Sequence, residues 1–218
     1  MTATAQYEAR PFGAGRQRMT PALYAIVPVK RLIRAKTRLS PALSFAQRLV
    51  LARRFLRRTL AIAREFPGAA QTIVVSGDAA VRAVARREGM IALNEPGAGC
   101  INRAVDIGLA WARRRNARAI VVLPTDLPLL TPQALRGFAR LAGTPRVRLA
   151  ADRHGSGTNA LYLQPVQPGF ARFGDGSLQR HRAAALASNA RVETVHENAL
   201  AFDVDVPADL KLLAARKR

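Results

Sequence analysis

Three acidic residues in this strongly basic chain stand directly after apolar runs, and together with a small group of cations they define the chemistry available. Asp126 lies in Leu123-Pro124-Thr125-Asp126-Leu127-Pro128, a single acid bracketed by prolines that limit its backbone freedom. A carboxylate held at a strand end is suited to Mg²⁺, binding through one oxygen and leaving other positions to water and phosphates. A capping role for Asp126 is weaker, because Thr131 is the better N-cap for a helix starting at Pro132. Asp203 and Asp205 follow a second apolar stretch in Phe202-Asp203-Val204-Asp205-Val206-Pro207. Alternation puts them on one side of an extended segment, and Asp205 is also a candidate cap for the final helix starting at Pro207, so that one acid is a candidate metal ligand and the other a cap. The cations are Lys30, Lys36 and Arg38, on the loop after the first apolar run. Two of the chain's four lysines fall there, able to neutralise phosphates as point charges beside arginine's bidentate fork. The loop has no glycine and is not a P-loop.

Two glycine-rich segments add backbone donors and hydroxyls: 152–159 (Asp-Arg-His-Gly-Ser-Gly-Thr-Asn) and 173–177 (Phe-Gly-Asp-Gly-Ser), the latter leading into a helix whose N-terminus favours an anion. His154, His181 and His196 have no metal-ligand spacing and are read as surface or structural. Cys100 has no recognisable base partner.

The elements that must position these residues follow from hydrophobic periodicity. Strands are expected at 22–28, 72–75, 91–93, 119–123, 147–151, 160–163 and 191–195. Helices are expected at 42–65, 79–88, 101–114, 132–141, 178–188 and from Pro207 onward. This alternation predicts an α/β fold with a mostly parallel sheet covered on both faces, and ligands outside the C-terminal strand ends. Residues 1–20 are read as a disordered tail, with Met19 an alternative start, and 21–218 as one domain.

The formal net charge of +21 comes mostly from arginines in helix-like segments, which reads as solvated surface. With 6% aromatic residues and no nucleic-acid-binding signature, a specific nucleic-acid partner is not expected. No apolar run is long enough for a membrane span, so a cytoplasmic protein without a membrane partner is expected. A homodimer is left open. One cysteine excludes an internal disulfide.

In order along the chain, VPVKRLIRAKTRLSP, VVSGD, the turn at 99–102, LPTDLPLL, DRHGSGTNAL, FGDGS and FDVDVPADL resemble the 2-phospho-L-lactate guanylyltransferase family over about Ala25 to Leu210. The resemblance implies a Rossmann-like, GT-A-like nucleotidyltransferase three-layer sandwich. It also implies transfer of GMP from GTP to 3-phospho-D-glycerate, phosphoenolpyruvate or 2-phospho-L-lactate in coenzyme F-420 biosynthesis. On that resemblance Lys30, Lys36 and Arg38 address the GTP phosphates, and Ser76, Asp78 and Asn102 lie near the nucleoside. Asp126 with Asp203 or Asp205 holds Mg²⁺, while Thr158, Gly174 and Ser177 receive the acceptor. A molybdopterin-type nucleotidyltransferase, the rival with similar acidic motifs, is expected to open with a glycine-rich loop that this chain lacks.

Overall fold

A computed structural model describes residues 23–97, 99–141 and 144–216, so the expected tail at 1–20 lies outside the described residues. Seven strands form one sheet: β1 (Leu23–Val29), β2 (Thr72–Ser76), β3 (Ile91–Asn94), β4 (Ala119–Val122), β5 (Arg146–Ala151), β6 (Thr158–Gln164) and β7 (Arg191–Val195), in the order β3-β2-β1-β4-β6-β5-β7. β1, β2 and β4 are buried along their whole length, as their unbroken apolar runs require of strands covered on both faces. The helices are α1 (Phe45–Ala63), α2 (Ala79–Arg87), α3 (Ile101–Arg113), α4 (Pro132–Phe138), α5 (Ser177–Ala187), α6 (Asn198–Ala201) and α7 (Pro207–Ala215). The α/β class with a mostly parallel sheet is therefore what the chain adopts.

One strand runs against the rest. β6 is antiparallel to both β4 and β5, while every other pairing is parallel. The cause is the glycine-rich turn between β5 and β6, closed by Asp152 N–H donating to Gly157 O (3.1 Å) and Ser156 N–H to Asp152 Oδ1 (2.9 Å). Reversal there puts the first residue of β6, Thr158, at the same sheet end as the C-termini of the parallel strands.

Several boundaries shift from those expected. α1 starts at Phe45 rather than 42, because Ser44 and Gln47 form a capping box, Ser44 Oγ accepting from Gln47 N and Gln47 Oε1 from Ser44 N. α4 ends at Phe138, short of the expected 141, and α6 was not anticipated. The cationic loop is not featureless: two short 3₁₀ turns, Leu32–Arg34 and Thr37–Leu39, flank Lys36.

Candidate active site

A cleft of about 580 Å³ opens at the C-terminal end of β1, lined among others by Lys30, Lys36, Arg38, Asp126, Asp203 and Asp205. The cationic loop and the acidic segment share one anchor. Leu39, Phe55, Phe202 and Val204 form a buried apolar cluster, so burial of Phe202 and Val204 directs the alternate residues Asp203 and Asp205 to the cleft. Val204 N–H also donates to Asp126 O (3.2 Å), tying the two acidic segments together.

Lys36 is the centre of this arrangement. Its Nζ lies 2.9 Å from Asp126 Oδ2, 3.1 Å from Asp205 Oδ1 and 2.7 Å from Val204 O. Burial opposes its charge, but Asp126 and Asp205 outweigh that and hold its pKa above the ordinary lysine value. Arg38 is exposed and lies 3.8 Å from Asp205, a weak outer contact. Lys30 is exposed on the cleft rim. Asp203 has its pKa raised, first by burial and then by the charge of Asp126.

The acidic segment is held from behind. The β5–β6 register slips between Ala150 and Ala151, leaving Asn159 unpaired in a bulge, and its Nδ2 donates to Leu200 O and Ala201 O at 3.0 Å each. Asp205 does not cap α7. That role falls to Asp209, whose Oδ2 accepts the N–H of Asp205 (2.6 Å) and of Val206 (2.8 Å) while Oδ1 pairs with Arg153. Thr131 caps α4, its hydroxyl accepting from Ala134 N at 3.1 Å, which frees Asp126 from that duty.

Of the residues assigned to the nucleoside, none is among those lining the cleft. Ser76 Oγ accepts from Asp78 N (3.1 Å). Asp78 caps α2 through Ala80 N (3.0 Å) and receives Leu32 N–H from the cationic loop (3.1 Å), so this pair braces that loop. Asn102 clasps Phe173 from both sides, Nδ2 donating to its carbonyl (3.1 Å) and Oδ1 accepting its N–H (2.7 Å).

Thr158, Gly174 and Ser177 do line the cleft, on its far side. Gly174, at φ +117°, allows the tight turn whose carbonyl accepts Ser177 N–H (3.0 Å), and Ser177 Oγ accepts Thr158 N–H (2.9 Å). His181, read from sequence as surface or structural, is fully buried beneath them. Its Nε2 accepts the Arg172 N–H (2.9 Å), so in the neutral ring Nδ1 carries the proton and donates to Thr158 Oγ1 (3.0 Å). The hydroxyl proton of Thr158 is thereby left for another acceptor. Burial, then the charges of Arg172 and Arg180, lower the His181 pKa to about 4, which keeps it neutral. The signal was present in the sequence: His181 falls four residues after Ser177 on the helix, hence on the same face.

Comparison with known proteins places the whole chain. A family model described as "Guanylyl transferase CofC like" matches residues 23–215. The chain is 36% identical over 190 residues to a phosphoenolpyruvate guanylyltransferase of Sphaerobacter thermophilus, covering 87% of this chain and 91% of that one. It is 38% identical over 194 residues to a protein of the same name from Rubrobacter xylanophilus, with 88% and 94% covered. Among solved structures, a nucleotidyl transferase from Methanothermobacter superposes with a TM-score of 0.63 at 15% identity, covering 89% of this chain and 97% of that one. A 4-diphosphocytidyl-2C-methyl-D-erythritol synthase from Anaerococcus prevotii gives 0.60 at 10% identity, with 91% and 97% covered, and both share the fold. The chain belongs to the CofC-like guanylyl transferase family, and its activity is nucleotidyl transfer.

Proposed function

We propose that this protein transfers GMP from GTP to a phosphorylated three-carbon acid, phosphoenolpyruvate or 3-phospho-D-glycerate ahead of 2-phospho-L-lactate, and that its product feeds coenzyme F-420 biosynthesis. The observation that carries the reading is a single cleft with two unlike sides. One holds Lys36 between paired carboxylates, with Arg38 outside them and Lys30 on the rim, and the other offers the hydroxyls of Thr158 at the start of β6 and Ser177 at the start of α5. The guanylyltransferase relatives named for phosphoenolpyruvate support the acceptor class.

An acceptor phosphate is already ionised at neutral pH, so its oxygen attacks the α-phosphorus of GTP without a general base. The new P–O bond forms as the bond to the β-phosphate oxygen breaks, and diphosphate leaves. What the chain must supply is alignment and charge. Lys30, Lys36 and Arg38 face the phosphates, with Lys36 kept protonated by its carboxylate neighbours. Thr158, oriented by His181, donates to the acceptor.

The residues present also fit a magnesium ion. Asp126, Asp205 and the Val204 carbonyl already gather three oxygens around one cationic nitrogen, and Asp203, its pKa raised first by burial and then by the charge of Asp126, gains from added positive charge. Magnesium is commonly held by one or two carboxylates plus substrate phosphates, and Asp126 with Asp203 or Asp205 offers such a pair on the cleft wall. Bound between Asp126 and Asp203 or Asp205, Mg²⁺ would neutralise and orient the phosphates.

The test is diphosphate release from GTP with each of the three acids in turn, with and without magnesium. One acid should drive release in the presence of magnesium, and Asp126→Ala should lower the rate by about 100-fold or more while the protein stays folded. Inertness of the wild type toward all three acids would overturn the proposal.

A further inference from the structure

Glu95, directly after β3, has an environment that the fold alone does not account for. It is a cleft-lining carboxylate with only 2% of its surface exposed, and its Oε1 has no hydrogen-bond partner. A carboxylate oxygen withdrawn from water with no donor is strongly disfavoured unless a bound molecule completes it. The nearest cation, Arg103, stops short: its Nη1 is 3.9 Å from Oε1, donates instead to Pro96 O at 2.9 Å, and belongs to a side chain 57% exposed.

The backbone around Glu95 is fixed. Its N–H donates to Ser76 O (3.3 Å), and a Cβ at Gly77 would come within 2.8 Å of the Glu95 carbonyl. The same added atom would lie 3.7 Å from Glu95 Oε2 and 3.6 Å from Arg31 Nε. Lack of a side chain at Gly77 therefore lets the segment after β3 pack against the turn after β2, which sets the Glu95 carboxylate beside Arg31 of the loop after β1. In sheet order Glu95 is on the β3 side of the Lys36–Asp126 cluster, and Thr158 is on the β6 side. With the phosphates over the cluster and the acceptor beside Thr158, the base of the nucleotide falls toward Glu95.

We propose that Glu95 is the specificity residue that reads guanine. This rests on the guanylyltransferase reading above. Guanine presents two adjacent donors on one edge, N1–H and the 2-amino group, which a carboxylate accepts as a charge-assisted bidentate pair. Adenine presents an acceptor at N1, which the carboxylate repels. A site whose buried carboxylate is completed only by guanine rejects analogues that leave it unpaired.

The experiment compares GTP with ITP, which lacks only the 2-amino group, in direct calorimetric binding without acceptor and in transfer with it. Wild type should prefer GTP over ITP by about 100-fold, and Glu95→Gln, which sets an amide donor against guanine's donors, should bring that ratio within about 3-fold of unity. The loss should appear in nucleotide affinity and KM rather than in kcat. Arg103→Ala should leave the wild-type ratio in place. A GTP-to-ITP ratio unchanged in Glu95→Gln overturns the proposal, as does equal loss in Glu95→Gln and Arg103→Ala, which would make Glu95 a structural ion-pair partner. Should the glutamine variant fail to fold, Glu95→Asp, which retracts the carboxylate by one methylene, must shrink the ratio in its place. Selective GTP binding that depends on Glu95, with no transfer to any acid, would refute the acceptor reading alone.

Discussion

Lowering the pH from about 8 to about 5 should remove about 2 kcal/mol of folding stability through His181 alone. The folded protein needs this ring neutral, because Nε2 accepts the Arg172 N–H and a second proton there would set donor against donor. Burial first, then Arg172 and Arg180, hold its pKa at about 4, against an ordinary value of 6.5. A histidine with a depressed folded pKa leaves the unfolded chain to bind the proton first. Its contribution is complete above pH 6.5 and is lost as the pH falls toward about 4. The whole span is about 3 kcal/mol, of which about 1.4 kcal/mol is gone by about pH 5.5 and about 2 kcal/mol by about pH 5.

Urea denaturation of the wild type and of His181→Gln across this range measures the effect. The glutamine amide oxygen can take the Arg172 N–H but cannot titrate. The variant should be the less stable protein at about pH 8, and the gap should close by about 2 kcal/mol on reaching about pH 5. Carboxylate titrations common to both proteins cancel in the difference. A gap that stays constant with pH would refute the tautomer assignment, and with it the orientation given to Thr158. The same variant should raise the acceptor KM more than the GTP KM, since Thr158 loses the donor that fixes its hydroxyl.

Two further outcomes concern the supports of the cleft. Asp209→Asn should destabilise the fold by about 3 kcal/mol in chemical denaturation, because a buried carboxylate that accepts two backbone N–H groups and pairs with Arg153 loses its charge. Asn102→Ala breaks both hydrogen bonds to Phe173 and should cost about 1–3 kcal/mol, with initial-rate kinetics showing a raised acceptor KM and a GTP KM within about 2-fold of wild type.

The strands were legible because burial on both faces leaves an unbroken apolar signature, as in Ile73–Val75 and Ile120–Val122, and each expected strand lies within about two residues of an observed one. Direction was not legible. Nothing in the residues of β6 says that it runs backward, since the turn at 152–157 decides that through its own hydrogen bonds. At the site, Asp126, Asp203 and Asp205 stood out because an acid after an apolar run is rare, but the division of labour among them lay in contacts too distant in sequence to read. Lys36 meets Asp205 across 169 positions, and the cap expected of Asp205 belongs to Asp209. Ser76, Asp78 and Asn102 illustrate a related difficulty. A polar residue beside a functional loop can hold that loop instead of facing the ligand, and only the partner atoms distinguish the two roles.

The position of Lys36 links these observations. Its backbone sits at φ +55°, a region disfavoured for a residue with a side chain, and surrounding structure must enforce it. Leu39 provides one constraint, buried three residues on, and the Asp78 bond to Leu32 N provides another. Held this way, the ammonium neutralises two carboxylates, lying 2.9 Å from Asp126 and 3.1 Å from Asp205, that would otherwise repel each other. On the magnesium reading proposed above, an ion taking the same oxygens would have to displace that ammonium. Lysine's flexible four-carbon stem allows it to move while its charge stays in the cleft, where incoming phosphates supply the compensating negative charge. The same residue can thus balance the carboxylates before nucleotide binds and the phosphates afterward, so cation and nucleotide should bind more tightly together than either does alone.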